Sequence, residues 1–400
     1  MVRVLILYAS LGSGHVSAAK ALEEAFLQFP QVEVQCEDAL SHANALYRGL
    51  VTRTYEQLSE NIPLLYKAFY EGSDIEDLER SLENNLAWAT LEKPFFRQLG
   101  KMVSDANPDI IVSVQQIPSR LLQLLDPDEA ISPPQYVVVT DAMVHSTWIN
   151  RGVNGYFLPN EISKRTLVQR GIEPDLLHVS GIPINPEISK SKDRDQVRSQ
   201  LGWSRDCPVV MLLGGGLNVK RVRSVVKDLL ESDRESRLLV AAGRNEELLE
   251  ALEDLDSSDT TRLEKYGMLA NIDDYVVASD LIITKAGGLI TSEILARGTP
   301  MVIIDPIPGQ EEENADVIAA AGAGVQLHLP EMVAPAVRFL LAHPERLQQM
   351  RDWSLALGRP HAAQSIAQTI LSSPSKADPG QAADSQAADS QAADSMATAS

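Results

Sequence analysis

Three features of the 400-residue chain predict an α/β protein built from two doubly wound domains. Short apolar runs alternate with longer stretches of helical periodicity, the rhythm of a parallel sheet covered by helices on both faces. That rhythm stops near residue 180 and restarts at Val209. In each half the first strong apolar run ends in glycines, at Gly12 and Gly14 and at Gly214, Gly215 and Gly216, where such domains place their ligand loops.

Taken in order, Val2 to Tyr8 reads as a buried strand, Ser17 to Phe29 as a helix and Val32 to Val34 as a second strand. Residues 44 to 104 are long and helical, and Ile110 to Val114 and Tyr136 to Thr140 add further strands. In the second half Val209 to Leu213, Leu238 to Ala241, Tyr266-Gly267, Leu281 to Thr284 and Met301 to Ile304 repeat the pattern with helices between. Ile182-Pro183-Ile184-Asn185-Pro186 and the charged run from Lys190 to Arg198 have linker composition. The expected domains are 1–180 and 181–372, the last helix being free to return to the first. From Ser375 the chain is small and polar and repeats Gln-Ala-Ala-Asp-Ser three times from Gln381. Such a segment buries too little to offset its ordering entropy, so 373–400 is expected to be a disordered tail.

Composition narrows the function. Lys+Arg 35 against Asp+Glu 55 gives a net charge of −20, the wrong sign for a protein that coats nucleic acid. Cys36 and Cys207 stand far apart and suit small buried hydrophobes rather than a bridge, and no zinc spacing is present. No apolar run approaches the roughly 18 residues of a membrane span, and the first apolar run is too short for a signal peptide. A cytoplasmic location is expected, in solution or peripheral on the cytoplasmic face of a membrane.

Three segments carry chemistry. Gly12-Ser13-Gly14-His15 stands between a strand and a helix, where backbone N–H groups face an anion, and half-matches a dinucleotide fingerprint. His15 at that mouth is also placed for proton transfer, and of the other histidines only His145 shares a dense polar neighbourhood. Lys285-Ala286-Gly287-Gly288 repeats the strand, glycine turn and helix, which suits a diphosphate, and Glu293 falls on a face able to reach a ribose diol. Pro308-Gly309-Gln310-Glu311 to Asn314 offers Gln310, Glu311 and Asn314 as hydrogen-bonding types for sugar hydroxyls, against the plainer reading of a solvated acidic helix start.

Together these segments are specific enough to name a family. The chain resembles the monogalactosyldiacylglycerol synthase and processive diacylglycerol glucosyltransferase group of glycosyltransferase family 28. The resemblance rests on Gly12 to Leu22, Val138 to Trp148, Tyr156 to Glu161, Gly181 to Pro186, Gly243 to Asn245, Thr284 to Glu293 and Pro308 to Ala315, in the family's order. It implies a GT-B fold, in which two Rossmann-like domains face a cleft, and inverting transfer from a UDP-sugar to a lipid hydroxyl with neither metal nor other cofactor. It implies His15 as the general base, with Gly12, Gly14, Asp141, His145 and Trp148 around the acceptor side of the cleft. Glu293 becomes the ribose ligand, Gln310 and Glu311 the sugar readers, and Gly287 and Gly288 the diphosphate cradle. Gly214 to Gly216, Arg244, Asn245, Lys285 and Asn314 complete the donor side, with uracil near Met268 and Leu269.

Some positions depart from the family. Leu217-Asn218-Val219-Lys220 follows the triple glycine where further glycines are usual, Gln115-Gln116 replaces a frequent His-Pro, and Ala286 a frequent proline. The Asp-x-Asp sequences at Asp126 to Asp128 and Asp193 to Asp195 sit in loop or linker composition rather than after a strand. A diacylglycerol acceptor requires membrane access, and Trp88, Phe95, Phe96 and Arg97, with Lys93 and Lys101, form a cationic aromatic stretch suited to an anionic lipid surface. A related transferase, a UDP-sugar epimerase and a non-catalytic UDP-sugar or lipid binder are the alternatives.

Overall fold

A computed structural model describes residues 1–51, 53, 62–124 and 133–373. The repeats from Gln381 and the Asp126 to Asp128 sequence lie outside the described residues.

The first sheet contains β1 (Val2–Tyr8), β2 (Val32–Asp38), β3 (Ile110–Ser113), β4 (Gln135–Val138), β5 (Val153–Leu158) and β6 (Leu177–Val179). The second contains β7 (Val209–Leu213), β8 (Ser236–Ala241), β9 (Thr261–Tyr266), β10 (Leu281–Thr284), β11 (Met301–Ile304) and β12 (Gly324–Leu327). Their orders are β2-β1-β3-β4-β5-β6 and β12-β11-β10-β7-β8-β9, and the paired strands are parallel throughout. Strand order therefore reverses beside β1 and β3 in one sheet and beside β7 and β10 in the other, and ligands of open α/β sheets bind beyond the carboxyl ends of such strands.

Burial follows from this arrangement. In the first sheet Val4, Ile6, Val112 and Val138 pack under the alanine-rich face of helix Ser13–Phe26, whose small side chains let it lie close. Ala363, Ile366, Ala367 and Ile370 of the last helix, Ala362–Ser372, complete the same core. The second sheet has a core on each face, around Val225, Val240 and Val302 on one side and Met211, Ile282 and Ile294 on the other.

Several boundaries differ from the sequence reading. The first helix begins at Ser13, because Gly12 at φ 84° ends the strand connection at once and His15 falls on the first turn. β2 runs on to Asp38, since the parallel ladder continues through Leu7↔Glu37 and Tyr8↔Asp38. The run from Lys190 to Arg198 is more than a linker: Asp193 caps helix Arg194–Gln200, and buried Arg198 donates to the Ala278 carbonyl and to Asp280. Residues 44 to 104 hold separate helices at 45–51, Pro63–Ser73, Leu78–Glu92 and Arg97–Ala106.

Candidate active site

At the mouth of the first sheet, helix Ser13–Phe26 starts without a capping side chain, leaving its first N–H groups facing the turn. His15 Nδ1 lies 3.1 Å from the Val114 carbonyl and 3.1 Å from Thr140 Oγ1. A carbonyl only accepts, so the proton sits on Nδ1 and Nε2 keeps its lone pair. Burial of the ring lowers its pKa to about 4, outweighing the Val114 hydrogen bond, so the imidazole is neutral at pH 7. Val114 is in turn followed by Gln115, whose side chain accepts from the Ile117 N–H at 2.6 Å and starts the next helix.

At the mouth of the second sheet, helix Gly288–Ala296 likewise starts without a side-chain cap. Thr140 joins the two mouths: its hydroxyl touches His15, and its carbonyl occupies the space a side chain on Gly288 would need. Beside this helix start, Lys285 Nζ lies 3.1 Å from Glu311 Oε1 and lines the space next to Gly216. Glu293 is half-buried with no hydrogen-bond partner among the described residues, and burial, then the charge of Asp273, raises its pKa to about 7. Such a carboxyl, once ionised, has both oxygens free to accept hydrogen bonds.

The domains meet along the first turn of helix Gln310–Ala320. Gln310 donates to Asp141, whose second oxygen accepts from the Trp148 indole at 3.3 Å. Burial lifts the Asp141 pKa to about 6, against the lowering effect of those two hydrogen bonds. Asn314 accepts from the Ala142 N–H at 2.7 Å and donates to the Ala286 carbonyl at 2.8 Å.

These contacts correct several assignments. Asn314 is buried with its amide spent on backbone across the seam, so it is a staple rather than a sugar reader. Glu311 has both oxygens engaged, by Lys285 and by the Ile307 N–H at 2.8 Å, contacts within its own domain that the sequence reading did not anticipate. Asn245 caps helix Glu246–Ala251 by accepting from Leu248 N–H, while Arg244 beside it is exposed. Trp148 is core, 1% exposed, and reaches the cleft only through Asp141. His145 is buried too, with Nε2 donating to the Tyr70 carbonyl at 3.0 Å and Nδ1 accepting from Thr147, which removes it from any open acceptor surface. Met268 is exposed and Leu269 half-buried just beyond the end of β9. Sequence reasoning noted Asn218 only as a departure and missed its role: it accepts from the Arg221 N–H and caps helix Val219–Leu230, so the helix after the triple glycine meets its own end requirement.

The cationic aromatic stretch divides. Phe96 is 4% exposed in a core with Ala9, Leu40 and Leu99, and Phe95 stacks on Tyr47 with ring centroids 5.2 Å apart, so neither is a free membrane contact. Their work is to anchor residues 45–51, with Asn44 N–H donating to the Phe95 carbonyl. Trp88 and Arg97 stay exposed, as do Lys93 and Lys101, and the anchored segment adds exposed Leu46 and Leu50. Leu64, Leu65 and Phe69 on helix Pro63–Ser73 extend the exposed apolar surface. Among the described residues no helix is long and apolar enough to cross a membrane, and no group of three His, Cys, Asp or Glu side chains is arranged to hold a metal ion.

Comparison with known proteins follows the same division of the chain. Residues 15–184 match the monogalactosyldiacylglycerol (MGDG) synthase family, and residues 209–370 the glycosyltransferase family 28 C-terminal domain. The processive diacylglycerol beta-glucosyltransferase of Bacillus subtilis (strain 168) is 27% identical over 370 residues, covering 92% of this chain and 94% of that protein. The protein of the same name from Bacillus cereus (strain AH187) is 29% identical over 375 residues, covering 92% and 93%. In structure, Acinetobacter baumannii MurG matches with a TM-score of 0.61 at 14% identity over 93% of this chain and 99% of its own. S. aureus MnaA, solved with UDP, matches at 0.61 and 15% identity over 92% and 96%. The architecture is GT-B.

Proposed function

Since the chain is a family 28 glycosyltransferase, belonging to the group of monogalactosyldiacylglycerol synthases and processive diacylglycerol glucosyltransferases, we propose that it moves a hexose from UDP-glucose or UDP-galactose to diacylglycerol. Transfer inverts the anomeric centre, proceeds without a bound metal and takes place peripherally, at the cytoplasmic face of a membrane. The observation that carries this reading is His15: neutral, with its proton held on Nδ1 by Val114 and its Nε2 lone pair available, one residue away from the donor-side helix start through Thr140.

The chemistry follows from that arrangement. The acceptor hydroxyl gives its proton to His15 Nε2 as its oxygen bonds to the anomeric carbon. The bond from that carbon to the diphosphate breaks on the opposite face, and its electron pair leaves with UDP. The N–H groups at the uncapped start of helix Gly288–Ala296 and the Lys285 ammonium receive the charge that develops on the diphosphate. Glu293 accepts from the ribose hydroxyls, uracil lies near Met268 and Leu269, and Gln310 offers its remaining amide oxygen to the sugar. Asp141 orients Gln310 rather than touching the acceptor.

Membrane contact is assigned to the exposed apolar side chains Leu46, Leu50, Leu64, Leu65, Phe69 and Trp88, with Arg97 and Lys93 beside them for anionic headgroups. The test is incubation with UDP-glucose or UDP-galactose and diacylglycerol in anionic vesicles, with lipids analysed by thin-layer chromatography and mass spectrometry. A glycosyldiacylglycerol from one donor supports the reading and fixes the sugar. UDP binding without any glycolipid would reject diacylglycerol as acceptor.

A further inference from the structure

Helix Pro63–Ser73 precedes β3 in the first domain, yet two of its side chains end on the turn that opens helix Gln310–Ala320 in the second. Lys67 Nζ lies 2.8 Å from Glu312 Oε2, and the same oxygen accepts from the Gly309 N–H at 3.1 Å. Lys67 thus holds the carboxylate that holds the turn. Tyr70 donates its hydroxyl to Glu313 Oε2 at 3.4 Å, and its ring lies so close to Gly309 that a Cβ there would come within 2.7 Å of it. Gly309 needs its missing side chain twice, for that approach and for its φ of 83°.

The helix is itself fixed to the first domain. The Tyr70 ring packs on His145 with centroids 4.5 Å apart, and the Tyr70 carbonyl accepts from His145 Nε2. At the C-terminal end Asp74 is gripped by both terminal nitrogens of Arg170, at 3.0 and 2.6 Å, and accepts from the Ser146 N–H. A rigid strut therefore runs from β4–β5 connections of one domain to the turn carrying Gln310 in the other. None of these side chains is needed to build either sheet.

We infer that Lys67 and Tyr70 are positioning residues for the donor sugar: by bracing the Gly309 to Glu313 turn they set where Gln310 points, so the sugar subsite is complete only when the first domain is closed on the second. The inference rests on Gln310 as a sugar ligand in the reading above. It predicts a larger effect on the sugar than on the nucleotide, since Glu293 and the helix start at Gly288 lie outside the braced turn and only Lys285, through Glu311, links that turn to the diphosphate.

The experiment is a charge swap in the full chain: Lys67→Glu, Glu312→Lys and the double variant, alongside Tyr70→Phe and Tyr70→Ala. Thermal midpoints establish folding, calorimetry gives UDP affinity and steady-state kinetics gives KM for the UDP-sugar. Each single reversal is expected to raise that KM by about fivefold or more while UDP affinity changes by less than about twofold. The double variant restores the ion pair but not the acceptor for the Gly309 N–H, so its KM should rise less than the sum of the two single effects while staying above that of the unaltered protein, and Tyr70→Ala should exceed Tyr70→Phe because the ring, more than the hydroxyl, meets Gly309. Single reversals that leave KM unchanged, or a double variant as impaired as the sum of its parts, would overturn the inference. An unaltered protein that fails to bind UDP would overturn the donor-site reading beneath it, which the calorimetry reports separately.

Discussion

After β1 the chain turns through Gly12 and Gly14, and a Cβ on either would meet no atom within 4 Å. After β7 a Cβ on Gly214 would come within 2.5 Å of Leu248, on Gly215 within 2.9 Å of the Ala242 carbonyl and on Gly216 within 2.8 Å of Lys285. The first turn leads into a helix with no side-chain cap, the second into one capped by Asn218. One glycine turn is open and has unsatisfied N–H groups to offer; the other is occupied with packing against the β8 and β10 loops. In the second domain the helix after β10, beginning at Gly288, also starts without a side-chain cap. Glycine content alone therefore does not mark a ligand loop in this fold. What sets the Gly12 turn apart is open space together with an uncapped helix start; the Gly288 start is uncapped too, but Thr140 fills the space a side chain there would need.

The sharpest way to break this comparison is His15→Ala on the open side. Loss of a general base of this kind costs about 10²–10⁴-fold in kcat. UDP affinity by calorimetry should be unchanged if, as proposed, the nucleotide is held by the other domain. Normal turnover would remove the open turn from the chemistry. The pH profile adds a second constraint: with its free-enzyme pKa near 4, His15 is unprotonated throughout pH 6 to 8, so any acid limb of kcat/KM in that range belongs to another group.

Glu293 is the natural source of such a limb. Its pKa of about 7 is above the usual carboxylate range because burial, and then Asp273, disfavour the charge. If Glu293 is the ribose ligand as proposed, the ribose hydroxyls donate to its carboxylate, UDP binding favours the deprotonated form, and affinity should rise from pH 6 to pH 8 and then level off. Glu293→Gln should flatten that dependence and weaken UDP about tenfold at pH 8, the scale of hydrogen bonds to a charged group. The sign for stability is the reverse. The native protein holds the Glu293 proton at a pH where the unfolded chain has lost it, so this residue makes the ligand-free protein less stable as pH rises towards 7. A UDP affinity independent of pH would place the ribose elsewhere.

How far the sequence foretold this arrangement depends on what each residue faces. β1, β7, β10 and β11 are nearly continuous apolar runs because parallel central strands are buried on both faces, and they are legible for that reason. The three-residue β6 and the half-exposed β12 at the sheet edges carry no such signature. β9, also an edge strand, alternates Arg262, Glu264 and Lys265 with less polar neighbours and shows only its end at Tyr266. His15, Lys285 and Glu293 could be singled out because each stands within a strand, glycine turn and helix sequence at short range. The seam could not: Lys67 and Glu312 are 245 residues apart, and each also has a local partner, Glu71 for Lys67 and the Gly309 N–H for Glu312, that accounts for its charge without the other. Phe95 and Phe96 fail differently, since an aromatic ring that anchors a helix and one that enters a lipid surface have the same composition signal.

The smallest expected effects test the glycines themselves, and they separate space from backbone conformation. Gly215→Ala must move the Ala242 carbonyl or the turn after β7, a backbone obstacle that cannot rotate away, so a loss of about 1–3 kcal/mol in denaturant unfolding is expected. Gly14→Ala adds a methyl group to open space on the first turn of a helix, where alanine is the better helix former, so stability should stay within about 0.5 kcal/mol or rise. Gly12→Ala falls between, with room for the methyl group but a φ of 84° that an L side chain resists. If Gly14→Ala kept full stability while losing turnover, the open space beside His15 would be space that a substrate uses. Full turnover would instead make that opening solvent alone, and the contrast between the two turns would be one of packing without consequence for catalysis.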